Sequence, residues 1–304
     1  MGDDNLILRE LQNAIRKFAN ADMVDMDDYF NHKFEFQVFR FEDLLRGTSR
    51  SIPPNKWSYH RIALVKEGSG EFTTGIYKYK ASKNTLVVIP SRVITSSRNW
   101  SLDLIGYLLL FNMDYFLHSR FPYQYIESKK ILSSSLQPYV HLSDEQAKEV
   151  EDIFEIIIRE NQGNDNHKDE LIALKIIELL ILCERLFEEQ LILELNLPAV
   201  DIIKRFSDVL EANFTKERSV SFYASELNVH PNHLNLLIKK HTGLTAKESI
   251  QSRLLLETKY LLHSTNLSIK EISSQVGFND PNYFTVFFKR LENMSPANYR
   301  SSFV

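Results

Sequence analysis

Two basic pairs, Lys239-Lys240 and Lys289-Arg290, stand fifty residues apart in the last third of this 304-residue chain. Each follows a stretch that opens on a proline, Pro231 or Pro281, and repeats its apolar residues in step: Leu234 with Phe284, Leu237 with Phe287, Ile238 with Phe288. Cations recurring at one interval suit binding to a phosphate-bearing partner, which is charge neutralisation and not bond-making. Side chains for bond-making are scarce. The single cysteine, Cys183, excludes an internal disulfide and any Cys-based zinc site, and its apolar helical setting predicts a buried, inert thiol. No Gly-rich phosphate loop, nucleophile elbow or paired-carboxylate motif stands out. No catalytic residue, metal or cofactor is therefore expected.

Charge is unevenly spread. Residues 1–199 hold 23 Lys and Arg against 30 Asp and Glu, a balance of −7; residues 200–304 hold 13 against 10, a balance of +3. The chain is 43% hydrophobic and 25% charged, enough for a core in each of the two domains its length suggests. The opening MGDDNLILRE is acidic and polar, without the charged-then-apolar pattern of a secretion signal. Leu102–Phe111 is too short to span a bilayer, and Leu171–Cys183 carries Lys175 and Glu178. The expectation is a cytoplasmic protein with no membrane partner.

The basic pairs sit in a duplicated supersecondary unit. Ser219 and Ser268 each open a short helix, the second with a capping box to Glu271. Ala224 and Ser273, five places on, are small enough for a close helix crossing. Tight turns at Asn228-Val229 and Gly277-Phe278 use residue types that accept left-handed backbone. The second helices then start on Pro231 and Pro281. Helix, short turn, helix is the helix-turn-helix pattern, here at about 219–243 and 268–291. Thr245–His263 between them predicts a helix about 28 Å long, close to the ~34 Å of one B-DNA turn.

Upstream the texture differs. The runs FEFQVFRF, IALVKE, EFTTGIYKY, NTLVVIP and LIGYLLLF are strand-like. They are separated by turn signals at Gly47-Thr48-Ser49, Pro53-Pro54-Asn55, Gly68-Ser69-Gly70 and Ser82-Lys83-Asn84, which predicts a small β barrel or sandwich. Residues 5–19 read as an amphipathic helix, and Ser143 opens a longer one. A third helix, roughly Lys168–Leu195, has a broad apolar face of Leu171, Leu174, Ile177, Leu180, Ile181, Leu186 and Phe187, to be buried against the β domain or in a dimer interface. Leu197-Pro198 is the expected domain boundary, giving domains 1–197 and 198–304.

HTG at 241–243, RLLLETKYLLHSTNLSIKEISSQVGF at 253–278, NYFTVFFKR at 282–290 and SPANYR at 295–300 resemble the AraC/XylS family of bacterial transcription regulators across both units. The upstream β region followed by helices resembles, at pattern level, the cupin-like sensor and dimerisation domain of many members. The implied fold is α+β: an N-terminal cupin-like β-barrel with flanking helices, then an all-α C-terminal domain with two helix-turn-helix units joined by a linker helix. The implied function is sequence-specific binding of double-stranded DNA, controlled by a small-molecule effector or by dimerisation, with both recognition helices in successive major grooves. RNA polymerase is a further partner if the chain activates transcription. The alternatives are control by a protein partner with no ligand pocket, and a cupin-type metal enzyme. The latter needs a histidine cage; the β region offers His60, with His32 outside it and no His-x-His.

The resemblance makes the second helix of each unit the reader. Base contacts then fall to Asn232, His233, Asn235 and Leu236 in unit one and to Asn282, Tyr283, Thr285 and Val286 in unit two. Asn suits a two-pronged bond to adenine, His a base-edge bond, and the Thr methyl and Val the thymine methyl. Phosphate contacts fall to Lys239, Lys240, Arg253, Lys289 and Arg290 and to the helix starts at Ser219 and Ser268; Arg253 has an internal alternative in Glu257. Three positions depart from the family pattern. His230 replaces the serine that caps the first reader, Asn293 a glycine that turns left-handed, and Ala246 a larger residue. The ligand-binding residues are unknown; Trp57, Tyr59, Tyr77, Tyr79 and Trp100 are aromatic candidates for a pocket or for core.

Overall fold

The computed structural model describes residues 8–9, 12–13, 34–45, 50–75, 77–116, 125–126, 128–132, 137–194 and 197–301. Most of the expected helix over 5–19 and the Gly47-Thr48-Ser49 turn lie outside them. Among the described residues nine strands come first: β1 Phe36–Arg40, β2 Ile52–Asn55, β3 His60–Glu67, β4 Gly70–Thr74, β5 Tyr77–Ala81, β6 Thr85–Ile89, β7 Thr95–Arg98, β8 Ile105–Phe111 and β9 Tyr139–His141. They form two antiparallel sheets, β1-β8-β3-β6-β9 and β2-β7-β4-β5. Among the described residues no ladder joins the sheets, so the N-terminal part is a two-layer sandwich and not the closed cupin-like barrel that the resemblance implied.

Patterning explains the layers. In β5 the order Tyr77, Lys78, Tyr79, Lys80, Ala81 alternates buried and exposed, as a sheet wet on one face requires. The five-stranded sheet is covered on both faces, so its strands read as nearly unbroken apolar runs. Ile62, Leu64, Leu86, Val88, Tyr107 and Leu109 pack outward against helices, while Ala63, Val65, Val87 and Ile89 turn inward. EFTTGIYKY, which reads as a single strand, is the hairpin β4–β5 with left-handed Gly75 at its bend, φ 55°. Pro53-Pro54-Asn55, read as a turn, lies in β2. That strand is a sheet edge with an irregular register between Ile52 and Asn55, where residues without an N–H are tolerated.

Two helices cover the outer face. α1 spans Asp144–Gln162 from a capping box between Ser143 and Gln146, and buries Val150, Ile153, Phe154, Ile157 and Ile158. Polar bonds on its flank, Arg40 to Glu155 at 2.6 Å and Lys66 to Glu151, fix it to the sheet. α2 spans Lys168–Glu194 and buries Ile177, Leu180, Leu186, Phe187 and Cys183 in the same core. Its expected apolar face is only partly covered: Leu171, Leu174 and Ile181 stay exposed. Burial pushes the Cys183 thiol pKa up, away from a reactive thiolate.

After α2 come α3 Leu197–Asn213, α4 Val220–Glu226, α5 Pro231–Thr242, α6 Ala246–Ser264, α7 Ile269–Gln275, α8 Pro281–Glu292 and α9 Pro296–Ser301. They do not form an isolated bundle. One continuous core joins Val65, Tyr77, Tyr79 and Val87 of the sandwich to Phe206 and Leu210 of α3 and to Tyr223, Leu234, Ile238 and Ile250 beyond. No helix among the described residues is long and apolar enough to cross a membrane.

His60, at the start of β3, is buried, accepts from the Ser91 N–H at 3.1 Å and stacks on Phe111. Burial, aided by the Arg61 charge, pushes its pKa down to about 4. The unfolded imidazole takes up a proton below about pH 6.5, whereas the folded one resists until about pH 4. Stability is thus fully present above that window and falls as pH drops through it, by up to roughly 3 kcal/mol. Denaturant midpoints measured from pH 7 to pH 4 should show His60→Gln losing less stability than the native chain; equal losses would contradict this placement.

Candidate nucleic-acid interface

Each helix-turn-helix unit is built by its own caps. In unit one, Ser219 accepts from the Phe222 N–H at 3.2 Å and starts α4. In unit two, Ser268 and Glu271 form the expected capping box at the start of α7. Asn228 and Gly277 hold the left-handed turns, at φ 55° and 80°. The turns close alike, Val229 N–H to the Ala224 carbonyl and Phe278 N–H to the Ser273 carbonyl, each at 2.9 Å. Ala224 and Ser273, the small residues of the two first helices, are buried.

The second helices follow with capped starts. His230 does cap α5: its Nδ1 accepts from the Asn232 N–H at 3.3 Å, so an imidazole nitrogen does the work of the absent serine hydroxyl. Asp280 caps α8 through Asn282 at 2.8 Å, a cap whose sequence signal is the Asp-Pro step. Asn293 ends α8 left-handed at φ 59°, as its side chain permits. Each helix buries one stripe: Leu234 and Ile238 in α5; Phe284, Phe287 and Phe288 in α8.

The opposite stripes are open. Asn232 and His233 are exposed on α5 and Asn282 on α8. Leu236, Tyr283 and Val286 are 69%, 65% and 63% exposed, the Tyr283 ring with a contact inside the fold, 6.0 Å from the Phe278 ring. Asn235 is half-buried; its Oδ1 accepts from the Ala246 N–H at 3.1 Å, which leaves its amide nitrogen for an outside partner. Thr285 Oγ1 donates to the Pro281 carbonyl, leaving the methyl as its contact group. Lys239, Lys240, Lys289 and Arg290 are exposed in the last turns of their helices, where they also suit the negative dipole end.

Arg253 lies elsewhere than the phosphate contact implied by the resemblance. It is buried on α6, with Nε 2.7 Å from Glu211, Nη1 3.0 Å from Glu257 and its guanidinium 4.0 Å over the Phe214 ring. Burial works against the charge, and the two carboxylates more than compensate, so its pKa is raised. The internal tie to Glu257 is present; Glu211, 42 residues away in the chain, had no signal in spacing. Spacing also gave no hint that Lys56, beside β2, reaches α6, 3.6 Å from Glu257 and 4.8 Å over the Tyr260 ring. The linker α6 has the expected 19 residues, starting from a capping box at Thr245 and Glu248.

In the N-terminal sandwich, a cavity of about 110 Å³ lies between the sheets. Trp57 and Trp100 line it, with Arg61, Ala63, Phe72 and Leu108. Arg61 is buried, donates to Thr95 at 3.0 Å and lies 5.3 Å over the Trp57 ring. The Trp100 indole N–H is buried without a protein acceptor. The other aromatic candidates do not line this cavity. Tyr59 stacks on Phe34, while Tyr77 and Tyr79 belong to the core shared with the helices. Among the described residues no three His, Cys, Asp or Glu side chains gather as a metal cage.

Comparison with known proteins places this geometry. The helix-turn-helix domain family matches residues 223–302. The lactose operon transcription activator of Staphylococcus xylosus is 27% identical over 157 residues, 51% of this chain and 56% of that protein. The HTH-type transcriptional activator RhaS of Salmonella schwarzengrund is 32% identical over 91 residues, 30% of this chain and 33% of that protein. This chain thus spans about half the length of the first relative and a third of the second. The structure of ToxT from Vibrio cholerae aligns over 88% of this chain and 98% of its own, at 16% identity and a TM-score of 0.39. With two helix-turn-helix units in register and the two transcription activators among its relatives, residues 223–302 form a helix-turn-helix domain of the AraC/XylS type.

Proposed function

We propose that this chain is a sequence-specific DNA-binding transcription regulator. The observation that carries the reading is the pair of open helix faces, α5 and α8, on either side of a 19-residue linker helix. A helix of that length is about 28 Å long, close to one DNA turn, which suits readers in successive major grooves. Asn232, His233, Asn235 and Leu236 face bases from unit one, and Asn282, Tyr283, Thr285 and Val286 from unit two. Lys239, Lys240, Lys289 and Arg290 meet phosphates, helped by the helix starts at Ser219 and Ser268. The chain acts in the cytoplasm and is no enzyme.

Control is by an effector in the N-terminal domain, an open relative of the cupin-like sensors. The hollow between the sheets favours this over control by a protein partner alone, for which a filled sandwich would suffice. At about 110 Å³ it suits one compact, mainly apolar molecule with an acceptor group for a buried donor. Exposed Leu171, Leu174 and Ile181 on α2 suit self-association, so the working form is a homodimer. RNA polymerase is a partner if the chain activates.

Three measurements test this. On a duplex selected from a random library, log affinity should fall steeply with log salt. Lys289→Ala should lower that slope by about one. Arg253→Ala should leave the slope alone and instead lose about 1–3 kcal/mol of stability, because it deprives Glu211 of its bond and uncovers Phe214 while Glu257 keeps Lys56; a flat native slope would refute DNA binding. Asn232→Ala should relax base preference at one position, by about 1–3 kcal/mol, with little change elsewhere in the site; an unaltered preference would remove Asn232 from the readers. Single-ring aromatics carrying one acceptor group should raise the melting temperature of the native chain but not of Ala63→Leu, in which the cavity is filled; equal shifts in both would place the ligand elsewhere.

A further inference from the structure

The segment between α3 and α4 touches unit two directly. Arg218 Nη2 donates to the Gly277 carbonyl at 2.6 Å and to the Val276 carbonyl at 3.4 Å, 59 and 58 residues away in the chain. Its guanidinium lies 3.7 Å over the Phe278 ring. All three partners belong to the turn of the second helix-turn-helix. At the same place a Cβ on Gly277 would meet the Thr215 carbonyl oxygen at 1.9 Å. Gly277 therefore serves two ends: it takes the left-handed turn at φ 80°, and it leaves room for the backbone of the other unit.

Phe214, next in the same segment, packs against the cores of both units and lies beneath the Arg253 guanidinium of the linker helix. The units are thus joined twice, through α6 and through residues 214–218. Two attachments restrain both hinge and twist, which a single helix leaves free at its ends. A planar guanidinium suits the second attachment, since it can fork to two carbonyls while stacking on a ring.

We propose that Arg218 is a positioning residue that locks the two readers at one separation, so that the protein accepts one spacing between its two DNA half-sites. This rests on the DNA-binding reading. It also assigns a half-buried basic residue of the DNA-binding domain to a contact between the units and not to a phosphate, since its Nη2 donates to two carbonyls of unit two.

The test uses the full chain and two readouts, one of them free of DNA. Spin labels at Ser225→Cys on α4 and Ser274→Cys on α7, both exposed sites, report the separation of the units; Cys183 is buried and stays in place. The native chain should give one narrow distance distribution, Arg218→Ala a broad one, and Arg218→Lys, which keeps the charge but loses the fork and stack, an intermediate one. On a library-selected duplex, two inserted base pairs between half-sites should weaken native binding at least ~10-fold but Arg218→Ala binding only ~3-fold or less, with its salt slope unchanged. An Arg218→Ala distribution as narrow as the native one would overturn the proposal. So would a retained spacing preference with a slope lowered by about one, the signature of a phosphate contact. If no duplex is selected, the DNA reading fails, and the distance distributions still decide the clamp.

Discussion

The structure depends on burying helices too short to persist alone. α4 and α7 have seven residues each, and α5 and α8 have twelve, lengths at which an isolated helix in water is marginal. Each unit solves this differently. Unit one buries Tyr223, Leu234 and Ile238 in a core continuous with Tyr77, Tyr79 and Val87 of the sandwich. Unit two makes its own core from Phe278, Phe284, Phe287, Phe288 and Tyr299, with Leu254, Leu261 and Leu262 of the linker. Unit one is therefore built onto the sandwich, and unit two is tied to it through the linker helix and the Arg218 contact.

On the proposed reading, a chain of side chains links the sandwich cavity to the linker helix. Asn55 and Trp57 line the cavity, and Lys56 between them faces Glu257 and Tyr260 of the linker helix. Glu257 also holds Arg253, which Glu211 of α3 holds in turn. A shift of β2 on ligand binding would reach the linker through these side chains. β2 is an edge strand with an irregular register, so it is the part of its sheet held by fewest ladder bonds.

Local chemistry was legible in the sequence and distant pairing was not. The helix-turn-helix units could be read because caps, turns and period lie within a few residues: Ser268 with Glu271, Gly277, Pro281, then Phe284 and Phe288. His230 was legible as a departure, but its own capping bond needed coordinates, since imidazole caps rarely. Pro53-Pro54 looked like a turn because prolines break ladders, yet an edge strand has a side with no ladder to break. Arg253 reads as a phosphate contact or a partner of Glu257, and Arg218 belongs to no motif. Their partners Glu211 and Gly277 lie 42 and 59 residues away, beyond any spacing argument. The sandwich cavity depends on how two sheets face each other, which alternation along one strand does not specify.

On the proposed reading, two unequal helix-turn-helix units read one DNA site from one face. Hydroxyl-radical footprinting of the full chain on a library-selected duplex tests it most directly. Two protected patches are expected on one face of the helix, centred about 10 base pairs apart. One patch alone, or two on opposite faces, would contradict it.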